Sequence, residues 1–186
     1  MLFRSLRNQV NPHFLFNSFN TLISAIEENP NAAIDYVQQL SEYFRNIVNY
    51  RDKEVISLAE EISLLYTYFY LQQKRYGESL KLDIRLSEEE KRDIFIPPLT
   101  LQLLMENAIK HNAVSKETPL RMELYIEQGK WLVMNNNINP KLSREASSGM
   151  GLQNIINRYN LLCGEPVKIN NNGIEFSVTL PTLKQE

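Results

Sequence analysis

Cysteine is almost missing from this sequence, with Cys163 alone among 186 residues. One thiol cannot close an intrachain disulfide or build a cysteine-based metal site, which excludes a disulfide-stapled scaffold and suits a reducing compartment. As a small hydrophobe, Cys163 is expected on a buried helix face. Histidine is nearly as scarce, present only as His13 and His111. Basic surplus is lacking too: 20 Lys and Arg against 22 Asp and Glu leave a net charge of -2, so no nucleic acid partner is expected. No uninterrupted apolar run approaches the ~18 residues of a membrane helix, and no charged-then-apolar leader opens the chain. The segment is therefore expected to be soluble and to make no direct membrane contact. An amphipathic pattern is in progress about a turn and a half after Met1, so further segments are expected upstream.

What is present is an apolar content of 43%, enough for a sizeable core. Over residues 2–26, Leu2, Leu6, Val10, Phe16, Phe19, Leu22, Ile23 and Ile26 return every three or four positions, the period of one long helix. Glu28-Asn29-Pro30-Asn31 interrupts it, and Ile34, Val37, Leu40, Phe44, Ile47 and Val48 trace a second helix. Two helices with so short a loop form an antiparallel hairpin. A hairpin cannot bury apolar stripes on both members alone, so a second copy completing a four-helix bundle, a homodimer, is expected.

Ser57 stands as an N-cap before Leu58, Ile62, Leu65 and Phe69, with Glu60 and Glu61 in the first turn, where they suit the helix dipole. Past Gly77 the texture changes, and Leu80, Leu82, Ile84 and Leu86 alternate with polar residues as in a half-buried strand. Pro97-Pro98 begins a helix to about His111. Met122, Leu124 and Ile126 alternate as a strand, and Gly129 turns the chain into a partner strand over residues 131–136. A helix over residues 150–162 ends at Gly164, before a closing pair of strands around Asn172-Gly173. The expected fold class is α+β: a dimerising helical hairpin over residues 1–54, then a domain of helices on an antiparallel-rich sheet over residues 55–186.

Three stretches could carry chemistry. Gln9, His13 and Asn17 lie four apart on one helix face, which sets an imidazole between two amides with no carboxylate beside it, and Pro12 frees backbone carbonyls nearby. A neutral ring has a lone pair for attack on phosphorus; a hydrogen-bonded structural histidine fits the same pattern. The second stretch runs from Pro98 to Asn112. Glu106 and Lys110 there could form a surface ion pair; alternatively Asn107 could give Mg2+ an oxygen while Lys110 places charge on phosphates. The third is Ser147-Ser148-Gly149-Met150-Gly151-Leu152, a glycine-containing loop entering a helix, where backbone N–H groups can approach phosphate. An ordinary turn before a helix has the same composition.

In this order and spacing, the three stretches resemble the LytS-like branch of bacterial sensor histidine kinases over nearly the whole chain. Asn11-Pro12-His13-Phe14-Leu15-Phe16-Asn17 looks like the phosphoacceptor box, Met105-Glu106-Asn107-Ala108-Ile109-Lys110-His111 like the N box, and Ser148-Gly149-Met150-Gly151-Leu152 like the second glycine box. The latter two also belong to the ATP-binding superfamily shared with gyrase, Hsp90 and MutL, which implies a Bergerat-type α/β sandwich. The resemblance implies His13 as nucleophile, Asn107 as Mg2+ ligand, Lys110 and His111 near the phosphates, and Gly149, Gly151 and Leu152 closing over the triphosphate. Glu106 would orient water or accept a proton. Also implied are ATP and Mg2+, homodimerisation, a response regulator receiver domain as partner, and a cytoplasmic place within a membrane-anchored sensor. The activity would be autophosphorylation on His13, then transfer to an aspartate of the regulator.

The sequence departs from the superfamily where an Asp-x-Gly-x-Gly motif usually reads adenine. Here the strand ends Leu132-Val133-Met134-Asn135-Asn136-Asn137-Ile138-Asn139-Pro140. Alternation from Leu132 and Met134 puts Asn136 in the aspartate's place, with Asn135 as the competing register. An amide oxygen can accept from the adenine amino group without the carboxylate's charge. Residues 137–148 are also short for a nucleotide lid. The rival expectation is a catalytically weak, nucleotide-binding dimeric scaffold.

Overall fold

The computed structural model describes residues 12–50, 52–141 and 150–184, and for Pro12, His13 and Met150 the backbone only. The expected helical stretch before Pro12 lies outside these residues.

Two antiparallel helices open the described chain, α1 (Pro12–Glu28) and α2 (Pro30–Tyr50). Asn29 divides them by chemistry as well as position: its side-chain oxygen accepts from the Asn31 and Ala32 amides, and Pro30 needs no partner for its nitrogen. On α2, Ala33, Tyr36, Leu40, Tyr43 and Ile47 form the buried stripe. The next helix, α3 (Leu58–Tyr76), begins at a capping box in which Ser57 and Glu60 satisfy one another's backbone amides. Ser57 also belongs to a two-residue strand, β1 (Ile56–Ser57), paired with β3 (Phe95–Ile96).

The five-stranded sheet runs β2 (Leu80–Arg85), β4 (Leu120–Glu127), β5 (Trp131–Asn137), β7 (Glu175–Pro181), β6 (Lys168–Asn171), the first pair parallel and the rest antiparallel. Its register aligns Leu80 with Leu120, Leu124 with Met134, and Met134 with Val178, so one face is apolar. Helices α5 (Thr100–His111) and α6 (Met150–Leu162) belong with that apolar face in one core. This is the expected α+β class.

Several details differ from expectation. Helix α5 starts at Thr100 rather than at the prolines, because Leu99 takes a left-handed conformation with φ 65°. Cys163 sits one residue past α6 and is half-buried. A short helix, α4 (Glu88–Asp93), has no buried residues and rests on its own Ser87–Glu90 capping box, so no apolar period announces it. The apolar core is continuous from Phe14, Tyr43 and Ile47 through Leu65 and Tyr68 to Leu101, Met105 and Leu132. Packing therefore passes without a break across residues 54 and 55.

Candidate functional site

The site is organised around α5, and α5 is held from outside itself. A helix N-terminus leaves backbone amides without partners, and Leu99 has no side-chain acceptor to offer them. Glu61 of α3 supplies the acceptors: its carboxylate takes the Leu99 amide at 2.9 Å and the Leu101 amide at 2.8 Å. The Glu61 side chain is fully buried. Burial pushes its carboxyl up to about 7, against the lowering pull of the Leu101 and Leu99 amides and of Arg158. Arg158 on α6 donates to the Pro98 carbonyl at 2.9 Å, so the same turn is gripped from α3 and from α6. Glu61 stands in the first turn of α3, as expected from sequence, and in addition caps a different helix. Its place on the stripe of Leu58, Ile62 and Leu65 was the available signal.

From this anchored start, α5 presents two working sides. Gln102 donates from Nε2 to the Tyr43 hydroxyl at 2.7 Å, and its Oε1 is buried without a hydrogen-bond partner. One turn on stands Glu106. Burial first, then the Glu106 charge, pushes the Tyr43 and Tyr68 phenols above their ordinary range. These two rings enclose Phe14, whose centroid lies 5.1 Å from Tyr43 and 5.2 Å from Tyr68. Phe14 follows His13 directly, so the start of α1 is packed against α2 and α3 through these rings, and Tyr43 links it onward to Gln102 of α5. The His13 side chain and Gln9 lie outside the described residues; Asn17 is half-buried on α1.

Asn107, the next residue round the helix, meets the start of α6. A Cβ built at Gly151 would come 3.6 Å from Asn107 Nδ2 and 3.7 Å from Oδ1. Absence of a side chain at residue 151 thus leaves the Asn107 amide uncovered. Leu152 is half-buried against the core, whereas Gly149 lies outside the described residues. At the far end of α5, Lys110 is half-buried and His111 exposed. Lys141 donates to the Ile109 and Lys110 carbonyls at 3.2 and 2.5 Å, adding positive charge at the helix C-terminus. Nothing in the sequence pattern singled out Lys141 or Arg158.

The end of β5 closes the arrangement. Asn136 is 7% exposed and shares the helix-facing side of the sheet with Leu132 and Met134, while Asn135 falls on the opposite side with its Oδ1 buried and unpaired. Among the described residues no group of three or more His, Cys, Asp or Glu side chains could hold a metal. No helix among them is long and apolar enough to cross a membrane.

A family model described as "Histidine kinase" matches residues 1–80. The sensor histidine kinase/phosphatase LytS of Staphylococcus aureus is 29% identical, over 98% of this chain and 35% of its own length. The chain thus spans about a third of the length of the curated relatives it matches. Among solved structures, the histidine kinase domain of the Erythrobacter litoralis blue-light activated histidine kinase superposes with a TM-score of 0.51, at 13% identity, over 96% of this chain and 91% of that one. The chain is thus similar to LytS almost from end to end, matches the histidine kinase family model over its first 80 residues, and shares the fold of a histidine kinase domain.

Proposed function

We propose that this chain binds ATP between α5, α6 and the end of β5, phosphorylates its own His13, and passes the phosphoryl group to an aspartate of a response regulator receiver domain. The observation that carries the reading is the double use of α5. Asn107 on one side faces Gly151, and on the other Gln102 holds Tyr43, one of the two rings around Phe14, with the Glu106 charge felt by both phenols.

Phosphoryl transfer asks a protein mainly for positioning and charge neutralisation. A neutral His13 nitrogen would form the N–P bond as the bond from γ-phosphorus to the bridging oxygen breaks, with that electron pair leaving on ADP. The other ring nitrogen then sheds its proton, for which Glu106 is the assigned acceptor. Asn107 fits a magnesium ligand, since its amide is a hard-oxygen donor left uncovered by Gly151. Mg2+, when bound, would neutralise phosphate oxygens. Lys110 adds positive charge at the same end of α5 with His111 beside it near the phosphates, and Gly149, Gly151 and Leu152 close over the triphosphate. Asn136 reads the adenine amino group. The apolar outer face of the α1–α2 hairpin would pair two chains, and we assign the segment to the cytoplasmic part of a membrane-anchored sensor.

Titration with ATP and Mg2+ tests the nucleotide half of this reading. Asn107→Ala should weaken binding at least about tenfold, the cost of one charge-assisted contact. Equal affinity in the two proteins would count against it.

A further inference from the structure

We propose that Asn112, Asn137 and Asn139 form a positioning lattice that turns the Asn136 amide oxygen toward the nucleotide base and so selects a 6-aminopurine over a 6-oxopurine. The inference rests on the nucleotide-binding reading above and concerns residues to which that reading gives no role.

An aspartate in this place could only accept a hydrogen bond, but an asparagine has two ends. With oxygen outward it complements the 6-amino group of adenine; with nitrogen outward it complements the 6-oxo group of guanine. In this chain one of the two N–H groups on that nitrogen is already engaged, and its acceptor sets which way the amide faces. Asn136 Nδ2 donates to the Asn137 carbonyl oxygen at 2.7 Å. That carbonyl belongs to a residue fixed on all sides: Asn137 Oδ1 accepts from the Arg121 amide at 2.7 Å, and Nδ2 donates to Pro119 O at 3.1 Å and Asn139 Oδ1 at 3.0 Å. Asn139 in turn donates from Nδ2 to the Ala113, Thr118 and Pro119 carbonyls at 3.2, 3.0 and 3.1 Å. Its own amide reaches Asn112 Oδ1 at 2.7 Å, and Asn112 Nδ2 donates to Ala108 O at 2.8 Å. Ala108 follows Asn107. A continuous run of amides thus links the base end of the site to the helix at its phosphate end, in the region where glycines would otherwise stand.

The test is calorimetric titration of the chain with ATP and with GTP, each with Mg2+. Wild type should favour ATP by about tenfold or more, the usual cost of facing a buried acceptor with an acceptor. Asn139→Ala should bring the ATP:GTP ratio toward one by letting the Asn136 amide turn over. Asn136→Asp has no donor to turn outward, so the double variant N136D/N139A should keep its discrimination. Asn112→Ala, which removes the acceptor of the Asn139 amide and the donor to Ala108 O, serves if Asn139→Ala does not fold. An unchanged ratio in the lattice variants, with ATP still bound by wild type, overturns the lattice alone, as does equal loss of selectivity in the single and double variants. Failure of wild type to bind either nucleotide overturns both the functional reading and the lattice.

Discussion

On the inner face of the α1–α2 hairpin, Phe14, Tyr36, Leu40, Tyr43 and Ile47 are each more than nine-tenths buried, whereas on the outer face Phe16, Phe19, Ile23, Ile26, Ile34, Val37 and Val48 are 45 to 67% exposed. Both faces are rich in large apolar residues, so hydrophobicity alone does not separate them. What distinguishes the inner face is aromatic rings with polar tips: Tyr43 packs edge-on against Phe44, encloses Phe14 with Tyr68, and bonds through its hydroxyl to Gln102 of α5. Such contacts fix a geometry as well as bury area. The outer face is aliphatic and phenylalanine side chains with no such handles, the composition of a surface that closes against another apolar surface. One hairpin thus joins α5 within the chain and, in our proposal, a second chain outside it.

Removing the aromatic wedge should have the largest effect. Phe14→Ala is expected to lower stability by about 3–5 kcal/mol in a denaturant melt, the usual loss for a buried phenylalanine, and to expose α1 amides to hydrogen exchange. A loss below about 1 kcal/mol would mean that the inner face is not the joint described.

Glu61→Gln comes next. An amide oxygen cannot replace both carboxylate oxygens at the Leu99 and Leu101 amides, so about 1–3 kcal/mol should be lost. The pH dependence sharpens this. Because burial raises the Glu61 carboxyl from 4.5 to about 7, the folded chain holds that proton more tightly than the unfolded one. Its contribution is complete below about pH 4.5 and declines as pH rises to about 7. Glu61→Gln should flatten that slope, and a pH–stability curve parallel to wild type would remove Glu61 from the explanation.

On the outer face the smallest change in stability is expected. Ile23→Glu places a charge in the apolar stripe and should convert a dimer to a monomer in sedimentation, with the fold of the single chain altered by no more than about 0.5 kcal/mol. A monomeric wild type would sink the proposed role of this face.

The elements read most clearly from the sequence were those with a buried stripe. Leu58, Ile62 and Leu65 announce α3, and the alternation of Met122, Leu124 and Ile126 announces β4. Asn107 and Gly151 stood out as residue types, and although 44 positions apart in sequence they meet in the fold. Contacts between elements were not legible. Glu61 looks like any acidic first-turn residue until α5 is seen docked on it, and the asparagines after Met134 look like a strand fraying into a loop. Neither role follows a helical or strand period, because each depends on where a second element lies.

Incubation of the chain with Mg2+ and ATP labelled in the γ-phosphate is the most direct test of the central claim, that the helix bearing His13 and the helix bearing Asn107 serve one phosphoryl transfer. Acid-labile, base-stable label on wild type, absent from His13→Gln and strongly reduced in Asn107→Ala, is the expected result. Label that persists in His13→Gln, or no label on a wild-type chain that binds ATP, would contradict it.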